Sequence, residues 1–120
     1  MPYPQNLQLA HDLESILRKK GVTPATIAIK DGICRIGLSQ DEIEDLALAG
    51  QENRAKKCST RDLPVILAKQ KSSDSENQWG ATTVASTMRL AHIVGIKTFV
   101  TGGIGGVHRG GHNSMDVSFV

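Results

Sequence analysis

The stretch "ATIAIKDGICRIGLSQDEIEDLALAG", Ala25 to Gly50, decides the fold. Ile27 and Ile29 alternate with smaller residues, Lys30-Asp31-Gly32 is a turn signal, and "ICRIG" alternates again, so the first half reads as a β-hairpin. The second half reads as a helix: Ser39 is the N-cap, Glu42 three residues on completes a capping box, and Gly50 is expected to end the element. A hairpin leading directly into a capped helix points away from all-α and all-β folds.

Elements of both kinds flank this stretch. Upstream, Leu7, Ala10, Leu13, Ile16 and Leu17 recur at helical spacing, with Gly21 placed as a stop. Downstream, "CSTRDLPVILAKQ" is a helix candidate with Ser59 or Thr60 as cap and Leu63, Val65, Ile66 and Leu67 as its apolar cluster. The polar, serine-rich segment Lys71–Trp79 has no period and is expected to be a flexible insertion of about 71–79. "GATTVASTMRLAHIVG" predicts a helix closed by Gly95, whose small first turns can press close to a neighbour or ligand. "IKTFVT" predicts a short strand running into a glycine-rich loop. Alternating strands and helices define an α/β class, with layers of helix on a sheet.

Composition narrows the function. The 120 residues allow at most one domain, and aromatics at 3% leave the core to Ala, Val, Ile and Leu. The formal charge of +2 is mild, and the short basic run "NRAKK" lacks interleaved aromatics, which argues against binding a nucleic acid polymer. No run approaches the length of a membrane span, and "MPYPQN" does not resemble a targeting segment, so a soluble intracellular protein with no membrane partner is expected. Cys34 and Cys58 have no Cys or His at metal-ligand spacing and read as reduced structural thiols.

The chemistry concentrates in "TGGIGGVHRGGHNSMDVS", Thr101 to Ser118. Gly102, Gly103, Gly105 and Gly106 after a strand would let backbone N–H groups converge on a phosphate or carboxylate; a plain glycine-rich surface turn is the alternative. Neither the dinucleotide fingerprint nor the Walker loop fits. His108 and His112 have chelating spacing only on a helix, which Gly110 and Gly111 make unfavourable. Asp116 could hold a hard divalent cation beside phosphate, or act as a loop hydrogen-bond acceptor. Lys57 and Arg61 flank the helix cap "ST", where anions are favoured; a solvated basic patch is the competing reading.

The strings "MPYPQN", "TPATIAI", "IGLSQDEIE", "STRDLP", "GATTVASTM", "GIKTFVTGGIGGVHRG" and "MDVS", in this order, resemble the pseudouridine-5′-phosphate glycosidases, also called the indigoidine synthase A-like family. The resemblance covers nearly all of the chain except Lys71–Trp79. It implies a layered α/β/α domain with a mixed central sheet, present here in part. It also implies reversible C–C glycosidic cleavage of pseudouridine 5′-phosphate to ribose 5-phosphate and uracil, with Mn²⁺ as cofactor, in a homo-oligomer that is a trimer in the family. The family mechanism forms a Schiff base between a lysine and the opened sugar, with a glutamate as general acid and base.

Carried over by residue, Lys57 matches a substrate-binding lysine, Val84 a substrate-contacting position, Asp116 the metal ligand, and Ser118 the first residue of a substrate-binding tripeptide. The family follows that serine with Ala-Asp, whereas here Phe119 and Val120 follow. The catalytic glutamate and lysine belong to parts of the family pattern outside this chain, so the resemblance implies a fragment without activity on its own. A cytoplasmic or mitochondrial location is expected. A non-catalytic phosphosugar-binding or subunit-associating piece is the second reading, and an unrelated nucleotide-binding module the third. Sheet edges and apolar helix faces without partners would leave such a piece marginally stable or prone to aggregate.

Overall fold

The computed structural model describes residues 2–72, 77–104 and 108–114. Four strands form one mixed sheet in the order β2-β1-β4-β3. They are β1 (Ile27–Lys30), β2 (Ile33–Ile36), β3 (Ala55–Cys58) and β4 (Trp79–Thr82). The helices are α1 (Gln5–Lys19), α2 (Gln40–Gln51), α3 (Leu63–Ser72), α4 (Val84–Ile93) and the single turn α5 (Gly111–Ser114).

The hairpin forms as its sequence predicts. β1 and β2 pair antiparallel, with Ile27 opposite Ile36 and Lys30 opposite Ile33. Asp31 and Gly32 occupy the two turn positions at φ 48° and 76°. Successive left-handed residues suit a two-residue turn whose twist matches the strands, and glycine meets that demand without a Cβ penalty. The capping box is also present: the Ser39 hydroxyl accepts from the Glu42 amide at 3.2 Å, and the Glu42 carboxylate accepts from the Ser39 amide at 2.9 Å.

Gly50, expected to end α2, lies inside it. The helix closes instead on Asn53 at φ 57°, with the Arg54 amide donating back to the Ala49 carbonyl at 2.9 Å. Asparagine is among the residues that tolerate this conformation, so the stop was carried by a residue type less conspicuous than glycine. Gly21 and Gly95 do stop α1 and α4, each at positive φ. Val22 donates to Leu17 and Ile96 to Ala91 across the helix ends.

Two strands fall where none was expected. β3 runs parallel to β4, pairing Ala55 with Trp79 and Cys58 with Thr82, and α3 makes the crossover between them. β4 in turn pairs antiparallel with β1, Ile29 opposite Gly80. The expected insertion at 71–79 is therefore shorter at both ends. Lys71 and Ser72 finish α3, and Trp79 is a fully buried strand residue at the centre of the sheet; residues 73–76 lie outside the described residues. Gly80–Thr82 belong to β4 rather than to the helix predicted across them.

"IKTFVT" also departs from expectation: Ile96–Thr101 forms no strand, and Val100 is 77% exposed. A β-branched run becomes a strand only when its backbone finds a ladder partner, and among the described residues it finds none.

Helices cover both faces of the sheet, giving an α/β/α layering. On one face Ile27, Ile29 and Cys58 pack with Leu63 and Ile66 of α3 and Leu90 and Ala91 of α4. On the other, Ala28 and Trp79 pack with Leu38 and with Ile43 and Ala49 of α2, and Leu7 and Ala10 of α1 close over them. Gly80 sits where α3 and β1 approach, and a Cβ there would lie 3.1 Å from Ile29 Cβ and 3.4 Å from Ile66 Cγ2. α1 differs in one respect from its sequence pattern. Leu13 and Ile16 point outward, about half exposed, while Glu14 is buried and bonded to Thr26 at 2.7 Å and Gln40 at 3.1 Å.

Candidate functional site

In a mixed sheet the place to look for a ligand is beyond the carboxyl ends of the parallel strands, where the following helices begin. Here those ends are Cys58 and Thr82, neighbours in the β3–β4 ladder. The chain leaves β3 through Ser59–Asp62 into α3, and leaves β4 through Thr83 into α4. Two helices of ten residues thus start at this end of the sheet. In α3 the Leu63 amide is bonded to the Ser59 carbonyl and Pro64 has no N–H, whereas the Thr83 side chain makes no cap bond to α4, whose first turn is the one that favours an anion.

Two of the four sequence-predicted site residues lie near these strand ends, on elements of the two sheet faces: Lys57 shares the face of Ala55, which packs with the α2 cluster, and Val84 opens α4, which packs on the other. Lys57 is exposed in β3 and stands opposite Ala81, three residues before Val84, which is the first residue of α4. Asp116 and Ser118 lie outside the described residues. Of the glycine loop, Gly102 and Gly103 are exposed with open space where a Cβ would be, and the Thr101 hydroxyl lies 3.2 Å from the Gly103 carbonyl, to which it donates. His108 precedes the short helix that carries His112, so the two do not share one helix face.

Hydroxyl groups tie the edge together. The Cys58 carbonyl, the last of β3, accepts from the Thr83 amide at 3.0 Å and from the Ser86 hydroxyl at 2.6 Å. The Thr83 hydroxyl lies 3.3 Å from Ser86 Oγ. The Thr82 hydroxyl donates to the Ile27 carbonyl of β1 at 2.8 Å and accepts from Thr87 at 2.9 Å. The sequence showed these residues only as small ones in "GATTVASTM". Their run of four hydroxyls was the available signal.

The electrostatics are mixed. Asp62 accepts from the Ser59 hydroxyl and from the Ser59 amide at 3.0 Å, and these bonds, ahead of the charges of Arg61 and Lys57, hold its carboxyl below the ordinary range. Burial pushes the Cys58 thiol up, so it stays protonated and packs as a small apolar group. Both cysteines are free. Among the described residues no three His, Cys, Asp or Glu side chains gather to hold a metal ion. Nor, among those residues, is any helix long and apolar enough to cross a membrane.

A mixed four-stranded sheet with helices packed on both faces puts the chain in the α/β class. More narrowly, the chain matches the family described as indigoidine synthase A like protein over residues 1–119, and it belongs to that family. It is 54% identical over 118 residues to a pseudouridine-5′-phosphate glycosidase of Glaesserella parasuis, covering 98% of this chain and 36% of that protein. The enzyme of the same name from Escherichia coli K12 is 51% identical over 98% of this chain and 35% of its own length. Among solved structures, an indigoidine synthase A-like protein of Thermotoga maritima superposes with a TM-score of 0.74 at 36% identity, over 98% of this chain and 36% of that one. A prealnumycin C-glycosynthase in complex with ribulose 5-phosphate gives 0.70 at 37% identity, over 97% and 35%. The chain thus spans about a third of the length of these relatives.

Proposed function

We propose that this chain is the phosphosugar-binding part of a pseudouridine-5′-phosphate glycosidase, an enzyme that reversibly cleaves the C–C glycosidic bond of pseudouridine 5′-phosphate to ribose 5-phosphate and uracil. The observation that supports the reading is the placement of Lys57 and Val84 near the carboxyl ends of the adjacent parallel strands β3 and β4, in a chain about half identical to glycosidases of that name. A phosphate there gains an ammonium group from Lys57 and backbone amides from the first turn of α4. The solved relative with ribulose 5-phosphate supports a sugar phosphate as the ligand class. Ser118 and the glycine loop belong to the same reading as substrate contacts, and Asp116 as a manganese ligand.

The 120 residues are without glycosidase activity on their own in this reading. The family resemblance assigns the general acid–base glutamate and the Schiff-base lysine to positions not among them. A homo-oligomer, trimeric as the resemblance implies, is part of the same proposal. The second reading is a non-catalytic piece that keeps the anion site, and the same edge geometry supports it.

Ribose 5-phosphate titrated into isotope-labelled chain should shift the amide signals of Lys57, Val84 and Gly103, and Lys57→Ala should weaken binding about tenfold. Pseudouridine 5′-phosphate should release no uracil. Binding that is unchanged in Lys57→Ala would overturn the site, and uracil release would overturn the inactivity of the isolated chain. Manganese bound by the chain and lost in Asp116→Ala, followed by electron paramagnetic resonance, tests the metal assignment.

A further inference from the structure

We infer that Ser86 is a positioning residue: its buried hydroxyl fixes the end of β3 against the first turns of α4, and thereby sets the spacing of Lys57 and Val84. That the spacing serves a phosphosugar rests on the reading above. The positioning itself does not.

Ser86 is fully buried within α4. A serine inside a helix ordinarily turns its hydroxyl to solvent or back to a carbonyl of its own preceding turn. Here the shorter contact, 2.6 Å, leaves the helix and reaches the Cys58 carbonyl of β3, while the Thr83 carbonyl lies at 3.1 Å. A hydroxyl has one proton, so the shorter contact takes it. The Thr83 hydroxyl at 3.3 Å is then free to donate to Ser86 Oγ. The result is a relay from Thr83 through Ser86 to Cys58, in which each bond polarises the next.

The relay acts where the ladder ends. Cys58 is the last residue of β3, next to Lys57, and Thr83 is the N-cap residue next to Val84. Beyond the Cys58–Thr82 pair the Thr83 amide continues the hydrogen bonding between the two strand ends, to the same Cys58 carbonyl at 3.0 Å. Ser86 adds a second tie to that oxygen from one turn further along α4. Both candidate ligand-binding residues are therefore one peptide unit away from groups that Ser86 holds.

The test uses the whole chain and compares Ser86→Ala with Ile66→Val, which loosens the same packed layer without touching the relay. Native-state amide exchange at Thr83 should quicken about tenfold in Ser86→Ala, relative to the β1–β2 amides, and the Lys57 and Val84 backbone shifts should move. Neither change is expected in Ile66→Val. Ser86→Cys, which keeps the bulk but donates weakly, should give an intermediate result and serves if the alanine variant does not fold. Unchanged Thr83 exchange with unmoved Lys57 and Val84 signals in the folded variants overturns the positioning role. Quickened exchange in a chain that never binds ribose 5-phosphate upholds the positioning and removes the phosphosugar reading instead.

Discussion

The indole Nε1 of Trp79 donates to Asp45 Oδ2 at 2.9 Å, joining the central strand to α2. Lys30 reaches the same oxygen at 3.2 Å, Arg54 reaches the other at 3.0 Å, and the Lys30 ammonium stands 4.9 Å from the centre of the Trp79 ring. The group locks β1, β4 and the end of α2 together. Asp45→Ala leaves the Trp79 N–H unbonded in a fully buried side chain, and should cost about 2–3 kcal/mol in urea unfolding. Asp45→Asn, which keeps an oxygen for the indole, should cost less.

The same carboxylate predicts a pH dependence. Partial burial pushes the Asp45 carboxyl up, but the bonds from Trp79, Lys30 and Arg54 outweigh it and the net shift is downward. A group whose pKa is depressed on folding contributes stability above its unfolded value, near 4, and loses it as the pH falls through the folded value. Glu42 adds in the same direction, held down first by the Ser39 amide and then by Arg35. The melting temperature should hold level above about pH 5 and fall below about pH 4. In Asp45→Asn that acid limb should flatten.

The hairpin and α2 were legible because each is specified by local chemistry: a two-residue turn in one, a reciprocal cap in the other. β3 was not, because Lys56 and Lys57 lie exposed on an edge strand, where the sequence shows charge rather than alternation. Trp79 hid behind a polar run, and its burial depends on Asp45, thirty-four positions earlier, which no local pattern can show. Ile96–Val100 failed in the opposite sense, since a β-branched run looks the same whether or not a strand lies beside it. Of the site, Lys57 was flagged by its place beside the cap "ST" as well as by resemblance, and Val84 by resemblance alone. The parallel ladder that places them near the same strand ends came only from the fold.

Gly80 provides a packing test independent of charge. Its place between Ile29 and Ile66 leaves no room for a methyl group, with backbone-attached Ile29 Cβ only 3.1 Å from the position a Cβ would take. Gly80→Ala should destabilise the chain by about 1–3 kcal/mol through overpacking, visible as a lower denaturation midpoint with the slope unchanged. Adding Ile29→Val to that variant removes the Cδ1 that would lie 3.4 Å from the new methyl and should recover part of the loss.

The fold leaves several large apolar side chains uncovered. Ile93 is 67% exposed, Val100 77% and Ile104 55%, and Leu9, Leu13 and Ile16 of α1 lie about half exposed on another face. Apolar groups in contiguous exposed patches favour association over solution. The isolated chain should therefore elute in light-scattering chromatography as concentration-dependent oligomers or aggregates. Ile93→Lys with Val100→Lys should shift it toward monomer without lowering its melting temperature, because neither side chain contributes to either core cluster. A wild-type chain that stays monomeric at high concentration and unfolds cooperatively would refute the association. If the double variant instead melts several degrees lower, these residues pack more tightly in solution than their exposure indicates.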